Sequence, residues 1–193
     1  MAPRIVLVAH AATAATRRGA FPLNEAIERP GDIASVELRA EQMLSGPELR
    51  CIQTASALGW QPTVIAGLAD LSAGDWTGHD LGALLATEPE MVQRWMTDPA
   101  AKAPAGESLA DLVERVGSVL AGLDLPDGRT VIVTSPLVIK AAITHLLQAP
   151  LLFDIDIEPL SATVLTGHGG RWKLRALMPK GTWDSGSSDN AAV

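Results

Sequence analysis

Two short apolar runs dominate the pattern of hydrophobic and polar positions along the chain. Residues 4–9 and 130–134 are rich in β-branched side chains and lack a helical spacing, which is typical of buried strands. Weaker runs predict further strands at 41–45 and 62–66, and the alternation over 163–175 predicts a hairpin. The pattern therefore predicts a protein that contains a β-sheet.

Between the strands, apolar residues recur at the spacing of amphipathic helices. The predicted helices cover residues 48–58, 80–97, 108–122 and 138–148, with a weaker one over 24–40 that is interrupted at Pro30 and Gly31. Ser108 with Asp111 three residues later indicates a capped helix start. The segment between the first strand and Pro22 contains glycine and small residues, and it is predicted to be a loop.

Strands that alternate with helices predict an α/β fold. We expect a three-layer α/β/α arrangement with a mostly parallel central sheet that is covered on both faces. Residues 1–183 are expected to form one domain, since 193 residues suit a single substantial core. Residues 184–193 are rich in Ser, Gly, Asp and Asn, and we expect them to be a flexible tail.

Composition excludes several classes of protein. A hydrophobic content of 47% rules out a disordered chain, and a net charge of −7 argues against binding to nucleic acid or to anionic membranes. No apolar run approaches the length of a membrane span, and the first residues lack a signal-peptide pattern. Cys51 is the only cysteine, which excludes an intramolecular disulfide and a cysteine-rich metal site. A cytoplasmic location is the simplest expectation.

His10 stands directly after the first strand, and small residues follow it. In open α/β sheets, ligands and chemistry lie outside the carboxyl ends of the strands. A histidine there is suited to act as a nucleophile or base, and the alternative is a buried structural imidazole.

Four later segments form, together with the segment around His10, an ordered set of motifs. Their sequences are SGPELRCIQTA at 45–55, LADLSAGDWTG at 68–78, GES at 106–108 and VIVTSPLVIK at 131–140. Together with AHAAT at 9–13 they resemble, in order, the motifs of the histidine phosphatase superfamily. The second motif, Ser-x-Pro-x-x-Arg-x-x-Gln-Thr-Ala, is intact. The resemblance covers residues 4 to about 178.

The resemblance implies a phosphoglycerate mutase-like fold and hydrolysis of phosphomonoesters with no metal and no other cofactor. It implies that His10 is the nucleophile, which forms a phosphohistidine, and that Asp70 is the acid that protonates the leaving oxygen. Arg50, Thr13 and Ser135 would bind the phosphate. The expected ligand is a small phosphorylated molecule or inorganic phosphate.

The residues themselves also permit structural roles for these positions. Arg50 could serve a surface or helix-start role, and Asp70 could cap the loop before Gly74. Ser135 could be the N-cap of the helix that follows it, and the Thr13 hydroxyl could bond only to backbone. The other three histidines are expected to be structural or exposed.

The chain departs from the family pattern where charge matters most. Ala9 stands in place of the arginine beside the nucleophile, and Ser135 in place of the second histidine. Ala11 and Pro136 replace glycines, and Asp70 replaces a glutamate. Loss of a single oxyanion donor typically lowers a rate by about 100- to 1000-fold, so we expect the site to be strongly impaired.

Two functions therefore stay open. One is a weak phosphomonoester hydrolase, and the other is a non-catalytic pseudoenzyme that binds a phosphorylated ligand or a protein partner. Efficient mutase activity is not expected, and a nucleotide-binding domain is disfavoured because the chain has no glycine-rich phosphate loop. The sequence leaves open whether Arg17, Arg18 or Lys140 replaces the lost charges, and which oligomeric state the protein adopts.

Overall fold

The structure is a computed structural model that describes residues 2–150 and 155–183. Over these residues, six strands form one sheet: β1 (Arg4–Ala9), β2 (Gln42–Ser45), β3 (Thr63–Val64), β4 (Arg129–Thr134), β5 (Ala162–His168) and β6 (Arg171–Met178). The same residues form six α-helices: α1 (Ala14–Arg18), α2 (Leu49–Ala57), α3 (Leu81–Thr87), α4 (Pro89–Thr97), α5 (Leu109–Gly122) and α6 (Pro136–Leu147).

The strand order is β3-β2-β4-β1-β5-β6. The first four strands in that order are parallel, and β5 and β6 are antiparallel to their neighbours. The prediction of an α/β fold with a mostly parallel sheet is confirmed. Its consequence is that the carboxyl ends of β1, β2, β3 and β4 meet at one edge.

Alternating side chains of β1 pack against different helices on the two faces of the sheet. Ile5 and Leu7 belong to a buried cluster with residues of α5 and α6, whereas Val6 and Val8 pack with residues of α2. This arrangement confirms the three-layer α/β/α prediction. It also holds the ends of β1 and β4 rigidly side by side.

The prediction of a weak helix over 24–40 is wrong. The segment contains only one short 3-10 turn, Pro30–Asp32, preceded by Arg29 with a positive φ of 49°. Its polar groups instead serve other elements: Asn24 accepts from the Leu49 amide at the start of α2, and Glu25 accepts from the Ala15 amide in α1. Tertiary hydrogen bonds replace those that a local helix would have made.

Proline explains two further differences. The helix predicted over 80–97 is divided at Glu88, because Pro89 lacks an amide hydrogen and restricts the residue before it. The helix predicted from 138 begins at Pro136, a ring well suited to a first helical position. The segment predicted to be a loop after β1 contains helix α1, whose small residues after the Thr13 cap give no helical hydrophobic spacing.

The strand predicted at 62–66 is shorter than expected. Only Thr63 and Val64 pair with β2, and a 3-10 turn, Ala66–Leu68, follows. The expectation of a flexible tail at 184–193 concerns residues outside the described part of the chain. Across residues 2–150 and 155–183, no helix is both long and apolar enough to cross a membrane.

Candidate active site

The shared edge of the parallel strands brings together four of the residues singled out in the sequence. His10 follows β1, Arg50 lies in the first turn of α2 after β2, Asp70 follows β3, and Ser135 follows β4. We call these four residues the polar floor. His10 and Arg50 are in direct contact, with Arg50 Nε 3.2 Å from His10 Nε2.

The hydrogen bonds of His10 define which ring nitrogen carries the proton and which keeps its lone pair. Nδ1 donates to the Ala11 carbonyl over 2.8 Å, because that oxygen can only accept. Nε2 therefore keeps its lone pair, which accepts from Arg50 Nε. Burial, helped by the positive charge of Arg50, lowers the pKa of His10. The lowered pKa favours the neutral imidazole, which is the form that a nucleophilic histidine requires.

Arg50 is almost fully buried, and each of its three guanidinium nitrogens has a protein partner. Besides His10, it donates to the Leu23 carbonyl over 3.1 Å and to Asp70 Oδ2 over 2.6 Å. The Thr54 hydroxyl donates to the Arg50 carbonyl and accepts from the Ala11 amide, so it links the Arg50 backbone to the loop that follows His10. Three of the five guanidinium N–H groups are thus used within the protein.

Asp70 occupies the centre of the polar floor. Its Oδ1 accepts from the Ser135 hydroxyl over 2.6 Å and from the Leu71 amide over 2.8 Å, while Oδ2 accepts from Arg50. Its own amide donates to Glu48 Oε1 over 2.7 Å. The carboxylate thereby takes up donors, from Arg50 and Ser135, that the sequence assigned to phosphate.

Arg115 holds the segment that carries Asp70. This half-buried guanidinium donates to the carbonyls of Gly67, Ala69 and Asp70, and it forms a two-bond ion pair with Glu107. The ion pair with Glu107 raises the pKa of Arg115. The sequence pattern does not reveal the roles of Glu48, Thr54 and Arg115, although all three lie within or beside the recognised motifs.

Ser135 and Thr13 have different surroundings. Ser135 caps α6 by accepting from the Val138 amide, and its hydroxyl donates to Asp70, so its N-cap role is present and its part in phosphate binding stays a prediction. The Thr13 hydroxyl accepts from the Thr16 amide and shares a hydrogen bond with the Thr16 hydroxyl. Its observed contacts are those of a helix cap, and its part in phosphate binding stays a prediction.

The charges missing from the family pattern are not replaced by the neighbouring arginines. Arg17 and Arg18 are exposed and form ion pairs with Glu28 and Asp80. Ala9 is fully buried in the core. Of the other histidines, His145 packs against α5 at Gly117 and His168 is exposed at the end of β5. Within residues 2–150 and 155–183, no three His, Cys, Asp or Glu side chains cluster as metal ligands would.

Comparison with known proteins gives a consistent result. A family model of the histidine phosphatase superfamily (branch 1) matches residues 5–178. A search of curated proteins finds no sequence match.

Three solved structures show the fold. A mycobacterial glucosyl-3-phosphoglycerate phosphatase with VO3 is 23% identical, with a TM-score of 0.78, and the match covers 91% of this chain and 98% of the other. A phosphoserine phosphatase variant from Entamoeba histolytica with phosphoserine is 17% identical, with a TM-score of 0.78 and coverage of 91% and 96%. A protein described as mycobacterial hydrolase 1 is 23% identical, with a TM-score of 0.77 and coverage of 93% and 100%.

Proposed function

The chain belongs to the histidine phosphatase superfamily, and on that premise we propose that it is a slow phosphomonoester hydrolase that works through a phosphohistidine at Nε2 of His10. The observation that carries this proposal is the state of His10. Its Nδ1 proton is held by the Ala11 carbonyl, its pKa is lowered by burial, and its Nε2 lone pair faces Arg50. The solved neighbours named as phosphatases support the reaction class.

The proposed reaction has two steps. The Nε2 lone pair attacks phosphorus of the phosphate monoanion and the bond from phosphorus to the ester oxygen breaks, while the proton of the monoanion passes through the Asp70 carboxylate to that oxygen. Water then attacks phosphorus and gives one proton to Asp70, the bond from phosphorus to Nε2 breaks, and Asp70 passes that proton to the released phosphate. Arg50 stabilises the phosphoryl oxygens with the N–H groups that the protein leaves unused.

The polar floor explains why the rate should be low. Attack requires the hydrogen bond between Arg50 Nε and His10 Nε2 to break, and Asp70 competes with the substrate for Arg50 and Ser135. A hydrogen bond to a charged group contributes roughly 1.5–3 kcal/mol, which corresponds to a rate factor of about 10 to 150. Together with the lost donors, turnover of p-nitrophenyl phosphate should be at least about a hundredfold below that of members with the full motif set.

Trapping of the phosphoenzyme tests the proposal. The chain is mixed with ³²P-labelled p-nitrophenyl phosphate, quenched, and examined for protein-bound label that is stable to base and labile to acid. We expect label on the unaltered chain and on His168→Ala, a control at the other end of the sheet, and none on His10→Ala. Label that survives in His10→Ala would refute the assignment of the nucleophile.

A binding function without turnover is the second candidate. It is favoured by the same hydrogen bonds, because Arg50 and Asp70 already satisfy each other over 2.6 Å. This candidate predicts no label in the trapping experiment, together with measurable binding of inorganic phosphate by calorimetry. A phosphate, vanadate or tungstate soak of a crystal would then place the anion between His10 and Arg50.

A further inference from the structure

An apolar cavity opens beside the reactive end of the polar floor. It has a volume of about 330 Å³, and His10 and Asp70 both reach it. Its lining also includes six apolar side chains, which we call the apolar wall: Phe21, Leu81, Trp95, Met96, Pro136 and Leu137. The cavity is at the small end of the range for pockets that hold a drug-sized ligand.

Two rings of the apolar wall pack against each other and against the core. Phe21 contacts the edge of Trp95 at a ring distance of 5.5 Å, and both rings contact the buried Trp76. Pro136, which stands where the family has glycine, adds its ring to the wall directly after Ser135. The departure of the sequence from the family pattern therefore makes this side of the cavity more apolar.

The cavity has little positive charge to offer a second anionic group. Among its described lining residues there is no lysine or arginine, and the exposed Arg17 and Arg18 pair with Glu28 and Asp80. Asp70 adds a negative charge on the floor side. A carboxylate or second phosphate held against the apolar wall would lose its hydration without gaining a partner, which is strongly unfavourable.

We propose that the group esterified to the phosphate is uncharged and apolar, about the size of a one- or two-ring hydrocarbon. The proposal rests on the proposed function, since it takes the phosphate to lie at the polar floor. The apolar wall then binds the leaving group and excludes water from the ester oxygen. Anionic leaving groups are selected against by the missing cation and by Asp70.

A pair of esters tests this specificity. The phosphates of 1-naphthol and 4-hydroxybenzoate have phenolic leaving groups of similar acidity, so their intrinsic reactivity is matched. We expect kcat/KM to be at least about tenfold higher for 1-naphthyl phosphate, because additional apolar carbon is buried and no carboxylate is desolvated. Equal values, or a preference for the carboxylated ester, would overturn the proposal.

Two methionines of α4 provide a matched pair of variants. Met96 belongs to the apolar wall and Met91 does not, yet their exposed fractions are similar, 44% and 42%. Met96→Arg should reduce the preference for the naphthyl ester by about two- to fivefold, because it adds a partly exposed cation beside the leaving group. Met91→Arg should leave the preference unchanged. An unchanged preference in Met96→Arg would overturn the proposal.

Phosphonates separate this proposal from the proposed function. 1-Naphthylmethylphosphonate and 4-carboxybenzylphosphonate cannot be hydrolysed, so calorimetry measures binding in a chain with or without turnover. We expect at least about tenfold tighter binding of the naphthyl compound, and equal affinities would refute the apolar specificity. Absence of a phosphoenzyme would refute the proposed reaction alone and leave this preference measurable.

Discussion

The polar floor and the apolar wall are two sides of one pocket, and they differ in what they offer a ligand. In the floor, His10, Arg50, Asp70 and Ser135 bond to one another, so a ligand must replace hydrogen bonds that already exist. In the wall, rings and aliphatic side chains line the cavity, so a ligand gains contact with apolar surface and removes that surface from water. Under the two proposals, the floor would carry the chemistry and the wall would supply most of the binding energy.

The largest expected effect comes from breaking the floor. Arg50→Ala leaves the mostly buried Asp70 carboxylate without its cation, and it should lower the free energy of unfolding by about 3–5 kcal/mol. Urea denaturation measures this change. Arg94→Ala, which removes an exposed partner of Asp98, is the control and should change stability by less than about 0.5 kcal/mol. Equal effects of the two variants would mean that the floor is not a coupled network.

A comparison of two capping serines isolates one hydrogen bond of the floor. Ser135 and Ser108 both cap helices, but only Ser135 also donates to the Asp70 carboxylate. Ser108→Ala should cost about 1 kcal/mol, the usual value of a cap. Ser135→Ala should cost about 1.5 kcal/mol more, since its second bond is to a charged group. If denaturation midpoints show the same loss for both, the bond to Asp70 contributes nothing to stability.

The smallest effect is a pH dependence that belongs to the floor. Burial holds the pKa of His10 below its ordinary value of 6.5, in an environment that also contains Arg50, Asp70 and Glu48. The unfolded chain therefore binds a proton near pH 6.5 that the folded chain does not yet bind. Stability should be complete above that pH and should fall, by at most about 1.4 kcal/mol per pH unit, as the pH drops toward the lowered value.

The test compares slopes and not absolute stabilities. The fall in unfolding free energy below pH 6.5 should be smaller in His10→Gln than in the unaltered chain, because glutamine does not titrate. His168→Gln should keep the full slope, since that side chain is exposed. A His10→Gln chain with an unchanged slope would show that other groups cause the dependence.

Local patterns predicted those parts of the fold in which neighbouring residues decide the structure. The apolar β-branched runs gave β1 and β4, and the Ser108–Asp111 capping box gave the start of α5. The same logic failed over 24–40, where Asn24 and Glu25 bond to residues of α2 and α1. It also failed at α1, where the reciprocal bonds of Thr13 and Thr16 are visible only in three dimensions.

The candidate site divides in the same way. The sequence singled out His10, Arg50, Asp70 and Ser135, because motif spacing and strand ends are properties of the chain itself. It did not reveal that Asp70 would take up Arg50 and Ser135, since that depends on the side-chain directions of three separate segments.

The sequence by itself determined the family, the order of most elements and the chemistry available at the edge of the sheet. Only the tertiary structure decided which of those groups bond to each other and what lies beside them. Phe21, Trp95 and Leu137 are far apart in the chain, yet all three line one cavity, Trp95 from α4 and Leu137 from the first turn of α6. The sequence shows that a hydrophobic residue prefers burial, but only tertiary packing determines whether that residue fills the core or lines a pocket.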